Sequence, residues 1–202
     1  MRKRTLLLFI MLLLTPLFSA ADGTDLLSQE YMLLAGRGNQ VSEIRYSRSE
    51  ADIFMDSLTD VMREELVRSV LSENDEIILA RMLWGEDREN PMYMRAAVIW
   101  CVFNRMDQSR LSVEQLITRI QFPGYREENP VTDWAVGLIR DVTIRYVLEQ
   151  NGFRDVGRVL PREYLYYEQP QGKRYHIFKT RLKLSDRNNK VWDWSLPSPY
   201  SD

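Results

Sequence analysis

Among the 29 acidic residues of this 202-residue chain, Glu86 stands apart by its surroundings. It closes an apolar helical run, Ile77-Ile78-Leu79-Ala80-Arg81-Met82-Leu83-Trp84-Gly85, and is followed by a polar corner, Asp87-Arg88-Glu89-Asn90. A carboxyl beside an indole in a partly apolar setting loses hydration of its charged form. Its pKa then rises, and it can stay protonated to act as a general acid. The same pattern also fits a helix-end charge paired with Arg88 or Arg81. From pattern alone that second reading is the stronger, because most acids are solvated surface charges.

Other chemistries find little support. One histidine, His176, and one cysteine, Cys101, cannot build a zinc site of several His or Cys ligands. Asp186-Arg187-Asn188-Asn189 is a poor match to a calcium loop and reads as a solvated turn. A Cys101/His176 nucleophilic pair is conceivable for an exported hydrolase. Yet Cys101 sits mid-helix among Trp100, Val102 and Phe103, where a thiolate lacks an electropositive, partly exposed setting. No G-x-S-x-G turn and no glycine-rich phosphate loop after a strand occurs.

The elements that must position Glu86 follow from periodicity and caps. Residues 50–71 carry Ile53, Phe54, Leu58, Val61, Met62, Leu66 and Val70 at three- and four-residue steps, which predicts one amphipathic helix capped by Ser49. A second helix starts near Asn74 or Asp75 and runs to Gly85-Glu86. Asn90 as N-cap and Pro91 at N1 start the next. From Met94 to Phe103 that helix is apolar nearly all round, which predicts burial on most sides and emergence at Asn104-Arg105. Ser112-Val113-Glu114-Gln115 resembles a capping box opening a short helix to Ile120. Gln121-Phe122-Pro123-Gly124-Tyr125 is a turn, and residues 126–131 are a polar loop. Thr132 caps a further helix that stops at Gly152. Late in the chain, Tyr164–Tyr167 and Tyr175–Phe178 are β-prone runs around Pro170-Gln171-Gly172, as in a hairpin. The tail around Trp192 and Trp194 has no period. The fold class is therefore α+β and mostly helical, with a small late β-hairpin.

Composition is that of one globular domain, 45% hydrophobic and 28% charged. Residues 1–21 read as a signal peptide: Arg2-Lys3-Arg4, an apolar run from Thr5 to Leu14, then Ser19-Ala20-Ala21 before Asp22. An uncleaved N-terminal anchor is the alternative. The run is short for a membrane span, so no stable membrane insertion is expected after cleavage. Without the three basic residues of that segment, 24 cations face 29 acids. No dense basic patch remains for nucleic acid. Residues 22–49 read as a leader or tether, and 50–202 as a single domain.

The stretch Ile78-Leu79-Ala80-Arg81-Met82-Leu83-Trp84-Gly85-Glu86-Asp87-Arg88-Glu89-Asn90, then Ala96-Ala97-Val98-Ile99 and Phe103-Asn104-Arg105, resembles the SleB-like cell-wall hydrolases of the spore cortex-lytic type. Their core reads roughly L-A-R-x-V-x-A-E-A-R-G-E, then A-V-A-A-V-x-x-N-R. Ile120–Tyr125 looks like the family's Q-F segment. Leu165-Tyr166-Tyr167 and Tyr175-His176-Ile177-Phe178 look like its C-terminal hairpin. The likeness covers about residues 76–180, with four motifs in order.

The resemblance implies a domain similar to lytic transglycosylases and goose-type lysozymes. It also implies cleavage of the MurNAc–GlcNAc β-1,4 bond of peptidoglycan. The family's catalytic Glu falls on Glu86 and its Arg on Arg88. Gly85 replaces the family Ala, Asp87 a small residue, and Asn90 the second carboxylate, so Asp87 or Glu89 would have to substitute. A wall-binding relative without turnover is the alternative. With one carboxylate, Glu86 would protonate the glycosidic oxygen and then, as base, activate the MurNAc 6-hydroxyl. A 1,6-anhydro end would result. Two-carboxylate glycosidases instead use a second acid for water or as nucleophile. Phe122, Tyr125, Tyr166 and Tyr167 are candidates for stacking on sugar rings. Gln121 and His176 are candidates for hydrogen bonds, and Gly124 and Arg88 complete the substrate-binding set. Each also fits plain packing, and strand alternation lets only one of Tyr166 and Tyr167 face the groove. The expectation is a monomer acting on peptidoglycan strands without metal or cofactor, exported to the periplasm or the extracellular wall.

Overall fold

The structure, a computed structural model, describes residues 48–171 and 173–200, with the backbone alone at residues 119–121. The signal segment and nearly all of the expected leader lie outside the described residues. Within them the chain forms six α-helices and one late two-stranded antiparallel hairpin, a mostly helical architecture.

Local sequence starts most of the helices. Ser49 caps α1 (Glu50–Asp56), Ser72 caps α3 (Glu73–Asp87) and Ser112 caps α5 (Val113–Gln115), each in a reciprocal capping box with Asp52, Asp75 or Gln115. Such a cap is worth about 1 kcal/mol. The single helix expected over 50–71 is in fact two. Ser57 Oγ donates to the Phe54 carbonyl at 2.6 Å and ends α1, and Thr59 caps α2 (Asp60–Arg68). Hydroxyl side chains compete for backbone groups and so break a continuous pattern. The break leaves Ile53 and Val61, two members of the expected apolar stripe, exposed.

The nearly all-apolar helix is α4 (Met92–Ser109). Ala96 through Phe103 are wholly buried along it, and α3 and α6 (Asp133–Gln150) pack on its sides. Asn90 does not cap α4. Pro91 precedes the first turn without a side-chain cap, and the Asn90 amide turns back to Asp87. The helix also runs past Arg105, ending where Arg110 adopts φ 60°. After α5 the chain widens into a π-helical turn, Leu116–Gln121, in place of the expected α-helix. Thr132 precedes α6 but makes no capping bond, and Gly152 follows α6 at φ 97°, a conformation that favours glycine.

Strands β1 (Tyr166–Glu168) and β2 (Ile177–Lys179) pair in the register Tyr166–Lys179, Tyr167–Phe178, Glu168–Ile177. The tail covers the free edge of β2: the Trp192 amide donates to the Phe178 carbonyl at 2.9 Å. Aromatic contacts hold this tail where no period could. Trp192 meets Tyr164, and Trp194 meets Tyr93 and Phe178 edge-on.

Two polar anchors fix the arrangement. Glu76, 5% exposed, joins α3 to Arg68 of α2 and Arg140 of α6. Asn104 of α4 donates to the carbonyls of Pro161 (2.9 Å) and Tyr164 (3.0 Å) and accepts from Arg158 (2.8 Å). It thereby ties the segment leading into β1 to the central helix. Among the described residues no helix is long and apolar enough to cross a membrane.

Candidate active site

The last turn of α3 carries Glu86 towards the loop that follows the π-helical turn. There the Gly124 amide donates to Glu86 Oε1 at 2.6 Å. This contact requires two glycines. A methyl at Gly85 would lie 1.8 Å from the Gly124 carbonyl oxygen, and a methyl at Gly124 would lie 2.8 Å from Glu86 Cγ. The two backbones therefore touch where any side chain would separate them. Asn129 clamps the same contact, its Nδ2 donating to the carbonyls of Arg81 (2.9 Å) and Gly124 (2.8 Å).

Glu86 opens into a cleft of about 370 Å³ between that loop and the hairpin, lined also by Arg105, Pro123, Tyr166, Tyr167 and Glu168. Burial raises its carboxyl pKa above the ordinary value. The Gly124 amide opposes the rise, as do His176 and Tyr167, while the negative Asp87 adds to it. A carboxyl in this balance can hold a proton, give it to a leaving oxygen within reach, and take one back afterwards.

The neighbouring acid Asp87 does not join Glu86 over the cleft. Its carboxyl is fully buried, with Oδ1 3.1 Å from His176 Nε2 and in contact with the Asn90 amide. His176, 2% exposed, also places Nε2 3.2 Å from the Glu86 carbonyl oxygen. It packs on the Tyr167 ring at 4.7 Å. His176 is thus a brace beneath the site and not a group on its surface. Asp87 Oδ2 and His176 Nδ1 have no partner in the described structure.

The structure distributes the other expected residues unevenly. Arg88 does not line this cleft; it lines a smaller depression of about 180 Å³ that Glu86 also borders, with its guanidinium 5.9 Å from the Trp84 ring. Glu89 is there too, exposed and 4.0 Å from Arg88 and from Arg174. Phe122 is 5% exposed, packed on Tyr167 at 5.9 Å and beneath the Arg105 guanidinium at 5.4 Å. It supports the wall and presents no face to a sugar, because its ring is spent on these contacts. Tyr125 does not line the cleft; its amide closes a turn onto the Phe122 carbonyl at 2.9 Å. The Gln121 side chain lies outside the described residues.

Tyr166 and Tyr167 both line the cleft, against the expectation that only one would. Alternation still governs their packing. Tyr167 turns to Phe122, His176 and Phe178, whereas Tyr166 lies under Arg105 at 5.5 Å. A strand of three residues at the mouth of a cleft can contribute from both faces. The Tyr167 hydroxyl is buried and makes no hydrogen bond in this geometry, but it stands close enough to favour an ionised Glu86.

Three lining residues escaped the sequence. Arg105 is the only cation between Ala96 and Met106 of α4, and that isolation was its available signal. Lys179 and Glu168 form an ion pair across the hairpin at the cleft wall, which strand register alone could not reveal. Cys101 is wholly buried and its thiol is pushed up to about 12 by that burial, the opposite of the exposed, low-pKa thiolate that a nucleophile needs. No group of three or more His, Cys, Asp or Glu suited to a metal ion occurs among the described residues.

Comparison of the chain with family models, curated proteins and solved structures gives no match.

Proposed function

We propose that this chain is an exported, lysozyme-like enzyme that cleaves the MurNAc–GlcNAc β-1,4 bond of peptidoglycan, with Glu86 as its single general acid/base. The observation that carries the reading is the half-buried Glu86 at the floor of an open cleft, with its pKa raised by burial and its Oε1 oriented by the Gly124 amide. The ordered motifs resembling SleB-like hydrolases supply the substrate class.

The proposed reaction starts with protonated Glu86. Its proton passes to the glycosidic oxygen as the C1–O bond breaks, leaving an oxocarbenium-like sugar. Ionised Glu86 then takes the proton of the MurNAc 6-hydroxyl, whose oxygen bonds to C1. The product is a 1,6-anhydro sugar, and the carboxyl is restored without water. Two features favour this route over hydrolysis with a second acid. Asp87 is buried against His176, and Glu168, the other acid at the cleft, is paired with Lys179. Tyr166 and Arg105 offer a stacking face and a donor to a bound ring.

A gel containing peptidoglycan separates turnover from mere wall binding. A clearing band at the position of the mature chain is expected. Sedimentation with sacculi and no clearing would leave only the wall-binding alternative.

A further inference from the structure

The cleft does not end at Tyr166. Tyr166 and Leu182 also line a larger depression, of about 850 Å³, beside it. The floor of this second space is charged, and its charges are unequally engaged. Asp107 accepts from the Tyr146 hydroxyl at 2.6 Å, and Asp186 accepts from the Lys183 amide at 3.2 Å. Both acids are therefore committed to the fold. By contrast, the Arg181 guanidinium, the Lys190 ammonium and the Glu163 carboxylate make no ion pair among the described residues. The loop carrying the two cations is braced from within. The Arg181 amide donates to Asn189 Oδ1 at 3.0 Å, and Asn189 Nδ2 donates to the Lys183 carbonyl at 3.0 Å. Two cations and one acid thus stand ready on a fixed surface, which lowers the ordering cost of binding.

We propose that this depression binds the zwitterionic peptide stem of the strand being cleaved, with its carboxylates at Arg181 and Lys190 and its ammonium towards Glu163. The ligand's identity rests on the glycosidase reading above. A sugar alone has no need of paired cations, whereas a stem attached to MurNAc presents carboxylates and an ammonium to one side of the glycan. Tyr166, shared by both spaces, marks where the glycan and its substituent would part.

The test is a calorimetric titration of the full mature chain with a free tetrapeptide stem, L-Ala–γ-D-Glu–diamino acid–D-Ala, and with the same peptide amidated at its carboxylates. Saturable binding is expected, weakened about tenfold both by amidation and by the double substitution Arg181→Ala/Lys190→Ala. Both positions are exposed, and circular dichroism checks that the variant is folded. Absence of saturable binding, or binding indifferent to the double substitution, overturns the proposal. Strand cleavage by the wild type is scored separately. Cleavage without stem binding sinks this inference and leaves the glycosidase reading standing. Stem binding without cleavage does the reverse.

Discussion

The Gly124 amide donates to Glu86 Oε1 across 2.6 Å, and this bond exists because Gly85 and Gly124 meet backbone to backbone. The contact joins the end of α3 to a loop 38 residues later and leaves the carboxyl with one oxygen held. Substituting Gly85, whose methyl would meet Gly124 and Asn129 and not the Glu86 side chain, therefore tests the orientation of the acid without touching it.

Gly85→Ala would restore the residue that the resembled family carries, yet here it is expected to do harm. The new methyl meets a backbone carbonyl, which cannot move aside as a flexible side chain would. Overpacking of this kind costs about 1–3 kcal/mol. A thermal melt should fall by several degrees, and activity should fall with it. An unchanged melt would mean that the two segments are free to separate.

The buried pair beneath the site predicts a second effect. His176→Ala removes one of the two partners of Asp87 Oδ1, leaving the Asn90 amide, and removes the contact to the Glu86 carbonyl. A buried polar group left unsatisfied costs about 1–3 kcal/mol. The urea midpoint should drop accordingly, and a midpoint equal to wild type would show that the Asn90 amide alone satisfies Asp87.

Glu86 titration links stability to pH. Burial holds its folded pKa above the unfolded value, so the folded state binds this proton more tightly. The resulting stability is complete below the unfolded pKa and is lost as pH rises through the folded one. Glu86→Gln cannot ionise and should melt above wild type at pH 7. That advantage should vanish at about pH 3, where the wild-type carboxyl is protonated in both states. A variant that melts lower at pH 7 would contradict the assigned burial.

Tyr167 predicts a shift in the pH–activity profile. Activity should decline on the alkaline side as Glu86 loses its starting proton. The Tyr167 hydroxyl favours the carboxylate, so Tyr167→Phe should move that decline to higher pH. A decline that stays in place would remove the hydroxyl from the account.

Much of the fold was legible because its determinants are local. The Ser49 and Ser112 caps and the unbroken apolar stretch of α4 announce helices, and the two β-prone tyrosine-rich runs announce the hairpin, whereas the Ser72 cap lies two residues ahead of the start expected for α3. The split between α1 and α2 was not, since the hydroxyls of Ser57 and Thr59 override an otherwise continuous stripe. At the site, Glu86 could be singled out by its neighbours Trp84 and Gly85. The burial of Asp87 and His176, the support role of Phe122 and the presence of Arg105 could not. Each depends on partners tens of residues away, and such partners leave no periodicity in the chain. The tail shows the same limit: aromatic contacts with Tyr93, Tyr164 and Phe178 fix it, and none is local.

The central claim is that Glu86 alone moves the proton in a glycosidic cleavage that consumes no water. It is tested most directly by mass spectrometry of peptidoglycan digested by wild type beside Glu86→Gln. The account predicts 1,6-anhydro-MurNAc ends from wild type and at least about a hundredfold less product from the variant. Only hydrated, reducing ends would contradict the single-carboxylate route, and equal cleavage by Glu86→Gln would contradict the site itself.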